Sequence, residues 1–321
     1  MSANNIGRIA VAGAGAIGGW VAAKLALAGY DVHVLARGET LQRIGEEGLV
    51  LSEDGLTSTA RVSASAEATG PANLLIMAVK APALADAAEA ARPMIGPETI
   101  IVPMLNGVPW WFVEPDRLAS VDPHGRIAAG LPADQLVGCV VHAACSRTAP
   151  NHVTVKHAER LILGERGGGL SDRVEGLCAL FAGSGIAADP SDSIRGAIWY
   201  KLWGNATINP VSALTRATAD RLLADPATRQ FMLEAMAELA QIGAAIGCPI
   251  EQSGDERMHV TARLGAFKSS MLQDVESGRP IELEALLGAP IEIARRASIP
   301  TPTLDRLYGL TRLMGESLGL L

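Results

Sequence analysis

Short apolar runs alternate with alanine-rich stretches through the first third of the chain. Residues 6–12 and 31–36 read as strands, and 17–28 as the helix between them. Residues 73–79, 100–103 and 137–142 are further apolar runs, each bounded by Gly, Pro or polar positions. Strands that are apolar throughout, rather than at alternate positions, belong to a parallel sheet covered on both faces. Strand–helix alternation of this kind predicts a doubly wound α/β domain. Residues 153–164 have the look of a hairpin appended to that sheet. The 114–135 stretch, with Pro115, Pro123 and Pro132, reads as an extended surface connection with a short helix.

From about Asp192 the pattern changes to helical periodicity, over 194–209, 225–246, 256–270, 282–297 and 303–316. Breaks fall at Pro226, Gly247–Pro249, Gly278–Pro280 and Pro300, residues that stop or start helices. The expected organisation is therefore an α/β domain over 1–191 and an all-helical C-terminal domain over 192–321. The polar, Pro-containing stretch 189–193 serves as the linker.

Composition narrows the function. With 49% hydrophobic and 19% charged residues, the chain has the apolar content for large cores. Against 34 Asp+Glu stand 27 Lys+Arg with no basic cluster, which argues against nucleic acid as a partner. Cys139, Cys145, Cys178 and Cys248 form no C-x-x-C and no disulfide framework, so they read as small buried hydrophobes of a reduced, cytoplasmic protein without a metal. An uncharged run over 9–23 imitates a signal or membrane segment. It holds Gly13, Gly15, Gly18 and Gly19 and is interrupted by Lys24 short of a spanning length, so no membrane association is expected.

Between the first strand and first helix lies Gly13-Ala14-Gly15-Ala16-Ile17-Gly18, a G-x-G-x-x-G. Gly13 permits the tight turn, Gly15 lets a pyrophosphate approach the backbone, and Gly18 lets helix and strand pack closely. The N–H groups opening the helix, at Ala16, Ile17 and Gly18, favour phosphate. This context marks the domain as Rossmann-type. At the end of the second strand, where an acidic residue would take the ribose hydroxyls of NAD, stands Arg37, suited to a 2′-phosphate. NADP(H) is the expected cofactor; a solvated surface arginine beside Glu39 is the alternative.

In the helix beginning near 194, Lys201, Asn205 and Asn209 recur every four residues and share one stripe. Trp199 and Trp203 fall on another side, where they can anchor the helix. The small and apolar neighbours of Lys201 leave room for a ligand, and such a lysine can polarise a carbonyl oxygen and protonate it. A snorkelling lysine beside two ordinary amides is the competing reading. Ser270 and Glu282 carry no signal of their own; Glu282 follows Pro280 as a helix start would.

The motifs together resemble the ketopantoate reductase (2-dehydropantoate 2-reductase) family over nearly the whole chain. The likeness is carried by GAGAIG at 13–18, Arg37, AVKA at 78–81, LNG at 105–107, VHAA at 141–144, KLWGNATINPVSALT at 201–215, SSMLQD at 269–274 and RPIELEALLG at 279–288. It implies NADPH-dependent reduction of a 2-oxo acid, 2-dehydropantoate to pantoate in pantothenate and coenzyme A biosynthesis. Lys201 is then the general acid. Glu282 binds the substrate hydroxyl, and Asn205, Asn209 and Ser270 bind the substrate. Lys80, Asn106 and Ala143 join the glycine loop and Arg37 in serving the cofactor. A homodimer through the helical domain is also expected. Departing from the simplest family pattern, Pro109-Trp110-Trp111-Phe112 follows LNG. This block either packs the interior or reshapes the pocket toward another 2-oxo acid. A β-hydroxyacid dehydrogenase, or a non-catalytic NADP(H) sensor, are the competing functions.

Overall fold

The computed structural model describes residues 6–113 and 117–321. It divides into two compact units, Met1–Leu105 with Gly125–Ala197, and Asn106–His124 with Ile198–Leu321. A single cut at 191/192 is thus replaced by a discontinuous partition. The reason lies in long-range bonds invisible to linear pattern. Val108 N–H donates to the Ala285 carbonyl at 2.8 Å, and the Ala119 and Ser120 amides donate to the Glu292 carboxylate at 3.0 and 2.8 Å. These tie 106–124 to the helical segments. Of the connection expected over 114–135, residues 114–116 lie outside the described residues.

The first unit runs β1 (Arg8–Ala12), α1 (Ala16–Leu27), β2 (Asp31–Leu35), α2 (Gly38–Glu47), β3 (Leu49–Glu53), β4 (Leu56–Ala60), β5 (Ser63–Ser65), β6 (Ala72–Met77), α3 (Leu84–Ala91), β7 (Ile95–Pro103), α4 (Arg126–Gly130), β8 (Val137–Ala149), β9 (His152–Glu165), α5 (Asp172–Gly183) and β10 (Ala188–Ser191). One sheet has the order β5-β2-β1-β6-β7 and is parallel throughout. In β1, Ile9 to Ala12 are all buried, as the unbroken apolar run requires. Strand order reverses at β1, and ligands of such sheets bind beyond the carboxyl ends of the strands at that point, here β1 and β6.

A second sheet has the order β10-β9-β3-β4, with β8 antiparallel to β9. The hairpin expected over 153–164 is instead one arm, β9, of a long β8–β9 hairpin that belongs to this sheet. Residues 137–142 likewise open β8 rather than extend the parallel sheet. Helix α1 touches β2 of the first sheet and β3, β4, β8 and β9 of the second. A helix covered on opposite sides has no polar face to keep, which accounts for the uncharged 9–23 run. Adjacent glycines serve the two sides. A Cβ on Gly18 would stand 1.9 Å from the Gly13 carbonyl oxygen, and one on Gly19 2.8 Å from a Val153 methyl of β9.

The second unit is helical: α6 (Ile194–Thr215, whose first turn begins in the first unit), α7 (Ala219–Ala224), α8 (Pro226–Ala245), α9 (Gly254–Ala262), α10 (Ser270–Glu276), a π turn at Glu284–Gly288, α11 (Ala289–Arg296) and α12 (Pro302–Leu318). Helix α6 continues past Pro210 because Asn209, Pro210 and Val211 are buried, and packing outweighs the backbone hydrogen bond lost at proline. The helix expected over 256–270 ends at Ala262, and after a non-helical stretch over 263–269 α10 begins at Ser270. Gly265 adopts φ +69° after α9, and Ser269 caps α10 by accepting from Leu272 N–H. Trp199 and Trp203 donate from their indoles to the Leu239 and Met236 carbonyls of α8, at 3.1 and 2.8 Å. Among the described residues no helix is long and apolar enough to cross a membrane.

Candidate active site

In the first unit, three of the expected cofactor positions follow adjacent parallel strands. The glycine loop follows β1, Lys80 follows β6, and Arg37, exposed, follows β2 and caps α2. The three loop glycines have different physical reasons. Gly13 adopts φ +102°, and a Cβ there would lie 2.6 Å from Val79; Gly18 is needed by the helix–turn contact described above. At Gly15 a Cβ would meet only the Ala78 carbonyl oxygen, at 3.9 Å. Neither a positive φ nor packing within this chain requires glycine at that position. The space is instead open beside the Ala16, Ile17 and Gly18 amides, where helix α1 begins without a side-chain cap. A dinucleotide pyrophosphate fits such a cradle. Ala143 stands apart from these, at a register shift in β8 of the second sheet.

In the second unit, Lys201 Nζ donates to Asn106 Oδ1 at 2.8 Å, and Asn106 Nδ2 makes a longer contact, 3.5 Å, with Glu282 Oε2. An ammonium only donates and a carboxylate only accepts, so their positions dictate which way the Asn106 amide faces. Gly107 makes this possible. It has φ +80°, and a Cβ there would stand 2.4 Å from the Ala285 carbonyl oxygen. The segment therefore lies flat on the π turn that follows Glu282. That turn precedes Pro290, whose missing N–H leaves the Leu286 carbonyl without its i+4 donor.

Further along α6, buried Asn209 donates from Nδ2 to Ser270 Oγ at 3.3 Å, while Ser270 itself is exposed. Asn205 lies half-buried between Lys201 and Asn209 on the stripe. Glu292, one helical segment beyond Glu282, holds the other end of the 106–124 segment. Burial pushes its carboxyl up, but hydrogen bonds from Ser120, the Ala119 amide and Arg296 together bring it below the ordinary glutamate value. Tyr308 donates to Glu284 at 2.7 Å, and burial together with that carboxylate pushes its hydroxyl up to about 12.

The tryptophan block is interior. Trp110, Trp111 and Phe112 are buried, and Phe112 stacks on Trp199 with centroids 5.8 Å apart. Linear pattern does not single out Glu292 or Arg257, an arginine of α9 lying against α6. Neither sits in a motif, and their partners are 172 and 53 residues away in sequence. No group of three His, Cys, Asp or Glu able to hold a metal occurs among the described residues.

A glycine loop at the reversal of a parallel sheet, and a lysine held by an amide in a helical unit, are consistent with the class of NAD(P)-dependent oxidoreductases. Comparison with known proteins narrows the class. The family model described as Ketopantoate reductase PanE/ApbA matches residues 9–168, and the one described as Ketopantoate reductase PanE/ApbA C terminal matches 193–315. A 2-dehydropantoate 2-reductase of Mesorhizobium japonicum is 40% identical over 97% of this chain and 99% of its own. The crystal structure of a Ralstonia solanacearum protein assigned as a ketopantoate reductase superposes with TM-score 0.96 at 49% identity, covering 99% of this chain and 100% of that one. The 2-dehydropantoate 2-reductase of Methylococcus capsulatus gives TM-score 0.84 at 29% identity, covering 97% of both chains. This chain belongs to the ketopantoate reductase family, oxidoreductases acting on CH–OH groups.

Proposed function

We propose that the protein reduces a 2-oxo acid to the 2-hydroxy acid with NADPH, and that the acid is 2-dehydropantoate, giving pantoate for pantothenate and coenzyme A biosynthesis. The observation that carries this reading is the Lys201–Asn106 bond of 2.8 Å with Glu282 behind it. The bound cofactor would supply hydride to the carbonyl carbon. Lys201 stabilises charge developing on the carbonyl oxygen and hands it a proton. Asn106 fixes the amine in a single rotamer, so less orientation is left for substrate binding to impose. Glu282 accepts from the substrate hydroxyl. Asn205, Asn209 and Ser270 offer amide and hydroxyl groups to the remaining polar atoms of the substrate.

For the cofactor, Gly13, Gly15, Ala16, Ile17 and Gly18 would hold the pyrophosphate, Lys80, Asn106 and Ala143 would line the rest of the cofactor site, and Arg37 would pair with the 2′-phosphate. The exposed position of Arg37 at the start of α2 supports that pairing, since a phosphate there also meets the helix N-terminus. The exposed leucines Leu310, Leu313 and Leu321 near the C-terminus would serve a homodimer.

The test is loss of absorbance of NADPH, and separately of NADH, against a panel of 2-oxo acids, together with gain of absorbance from NADP+ or NAD+ against 3-hydroxy acids. Turnover of 2-dehydropantoate with NADPH preferred is expected, with the preference abolished in Arg37→Ala. Turnover only of another 2-oxo acid would replace the substrate, and turnover of 3-hydroxy acids alone would make it a β-hydroxyacid dehydrogenase. Cofactor binding with no turnover at all would make it a sensor.

A further inference from the structure

We infer that Pro290 is a positioning residue for the Lys201–Asn106 pair. By bringing no N–H it strands the Ala285 carbonyl, and the stranded carbonyl docks the segment that carries Asn106. The inference rests on the reductase reading above, which makes Asn106 the partner of the proton donor.

Backbone donors change their spacing after Glu282. Leu286 N–H donates to the Glu282 carbonyl at 3.2 Å, four residues back, whereas Ala289 N–H reaches five residues back to the Glu284 carbonyl. The longer step passes over Ala285. Its carbonyl could be met from position 289 at α spacing or from 290 at π spacing. Ala289 is already engaged, and position 290 is a proline with no N–H to give. Ala285 is buried, and a buried carbonyl left unpaired is costly.

The donor that meets it is Val108 N–H, at 2.8 Å. Val108 is buried too, so its N–H needs the carbonyl as much as the carbonyl needs a donor. Two residues before Val108, Asn106 receives Lys201 at 2.8 Å and faces Glu282. Ala285 lies three residues past Glu282. One turn of chain therefore sets both the carboxylate and the backbone anchor of the amide between it and the lysine.

The π spacing has supports besides Pro290. The Glu284 side chain folds back over the turn, leaving no room for a Cβ on Gly288, and Tyr308 holds it by donating to Oε1 at 2.7 Å. A donor restored at 290 would find the Ala285 carbonyl five residues back. Undocking the 106–108 segment would then no longer leave that carbonyl bare, and the docking would loosen.

The experiment compares wild type, Pro290→Ala and a protein carrying lactic acid at position 290, whose ester link, like proline, brings no N–H. Hydrogen exchange of the Val108 amide and kcat for a 2-oxo acid are measured on each. Pro290→Ala is expected to speed Val108 exchange about tenfold and to lower kcat about tenfold. The lactic acid protein should stay within about twofold of wild type in both. On top of Asn106→Ala, Pro290→Ala should change kcat less than about twofold, because the amide it positions is gone. An equal loss of kcat in both backgrounds, unchanged Val108 exchange in Pro290→Ala, or a lactic acid protein as impaired as Pro290→Ala would overturn the role of Pro290 and leave the reductase standing. Failure of wild type to reduce any 2-oxo acid would overturn the reductase and the catalytic role of Pro290 with it, while faster Val108 exchange in Pro290→Ala would still uphold the docking.

Discussion

The indole of Trp199 fills the space that a side chain at Gly243 would need. A Cβ on Gly243 would stand 2.3 Å from Trp199 Nε1 and 2.6 Å from the Cys248 carbonyl oxygen. Because Trp199 also bonds the Leu239 carbonyl, this one glycine sets how closely α6, which carries Lys201, approaches α8. Gly243→Ala is expected to destabilise the protein by about 1–3 kcal/mol through overpacking, seen as a lower urea midpoint. An unchanged midpoint would show that the two helices yield freely.

Lys201 and Asn106 should behave as one unit in kinetics. Lys201→Ala is expected to lower kcat about 10²–10⁴-fold, the usual worth of a positioned acid, with cofactor affinity retained. Asn106→Ala should cost less, since the amine remains but wanders. The double variant should be no slower than Lys201→Ala alone, because nothing is left for the amide to orient. Fully additive losses would separate the two residues.

Gly15 and Gly18 should fail in opposite ways. Gly18→Ala places a methyl 1.9 Å from the Gly13 carbonyl oxygen, so thermal stability should fall markedly. Gly15→Ala meets only an oxygen at 3.9 Å and should fold as well as wild type, yet bind NADPH at least tenfold more weakly. Calorimetric melting and NADPH fluorescence titration on the two variants decide this. A Gly15→Ala protein with wild-type NADPH affinity would contradict the proposed pyrophosphate position.

Stability of the first unit should carry a pH dependence from His33. This buried side chain of β2 has Ser63 Oγ at 2.9 Å from Nδ1 and Ser65 Oγ at 2.8 Å from Nε2. Burial lowers its pKa from the ordinary 6.5, the Arg8 charge adds to that, and Asp31 opposes it. The unfolded chain therefore takes up the proton first. The contribution is complete above the ordinary value and is lost as pH falls through the depressed one, with a slope of at most about 1.4 kcal/mol per pH unit for one proton. Melting temperatures from pH 8 to pH 5 should fall more steeply for wild type than for His33→Gln. Parallel curves would assign the acid sensitivity elsewhere.

Where the linear pattern failed, a specific local signal was present or absent. The β3–β4 hairpin carries one of the strongest short turn signatures, Asp54–Gly55 with φ of 50° and 77°, but its strand β4 is mostly exposed and lacks an apolar run. The long β8–β9 hairpin is broken by register shifts at 142/143, 144/145 and 147/149, which disturb the alternation expected of a strand. The helical stripe of Lys201, Asn205 and Asn209 was legible because four-residue spacing makes it a property of one helix. The π turn after Glu282 left no periodic trace.

The sequence alone determined what depends on neighbours a few residues apart: the parallel strands, the glycine loop, the helix breaks, and the lysine–amide stripe. Only the tertiary structure decided which distant groups meet them. It moved residues 106–124 into the helical unit, put Asn106 on Lys201 across 95 positions, and set Val108 on the Ala285 carbonyl. The physical reason is the range of the forces. Backbone sterics and helical period act within a turn or two and so are written locally, whereas hydrogen bonds and packing are indifferent to sequence separation and appear only when the chain has closed on itself.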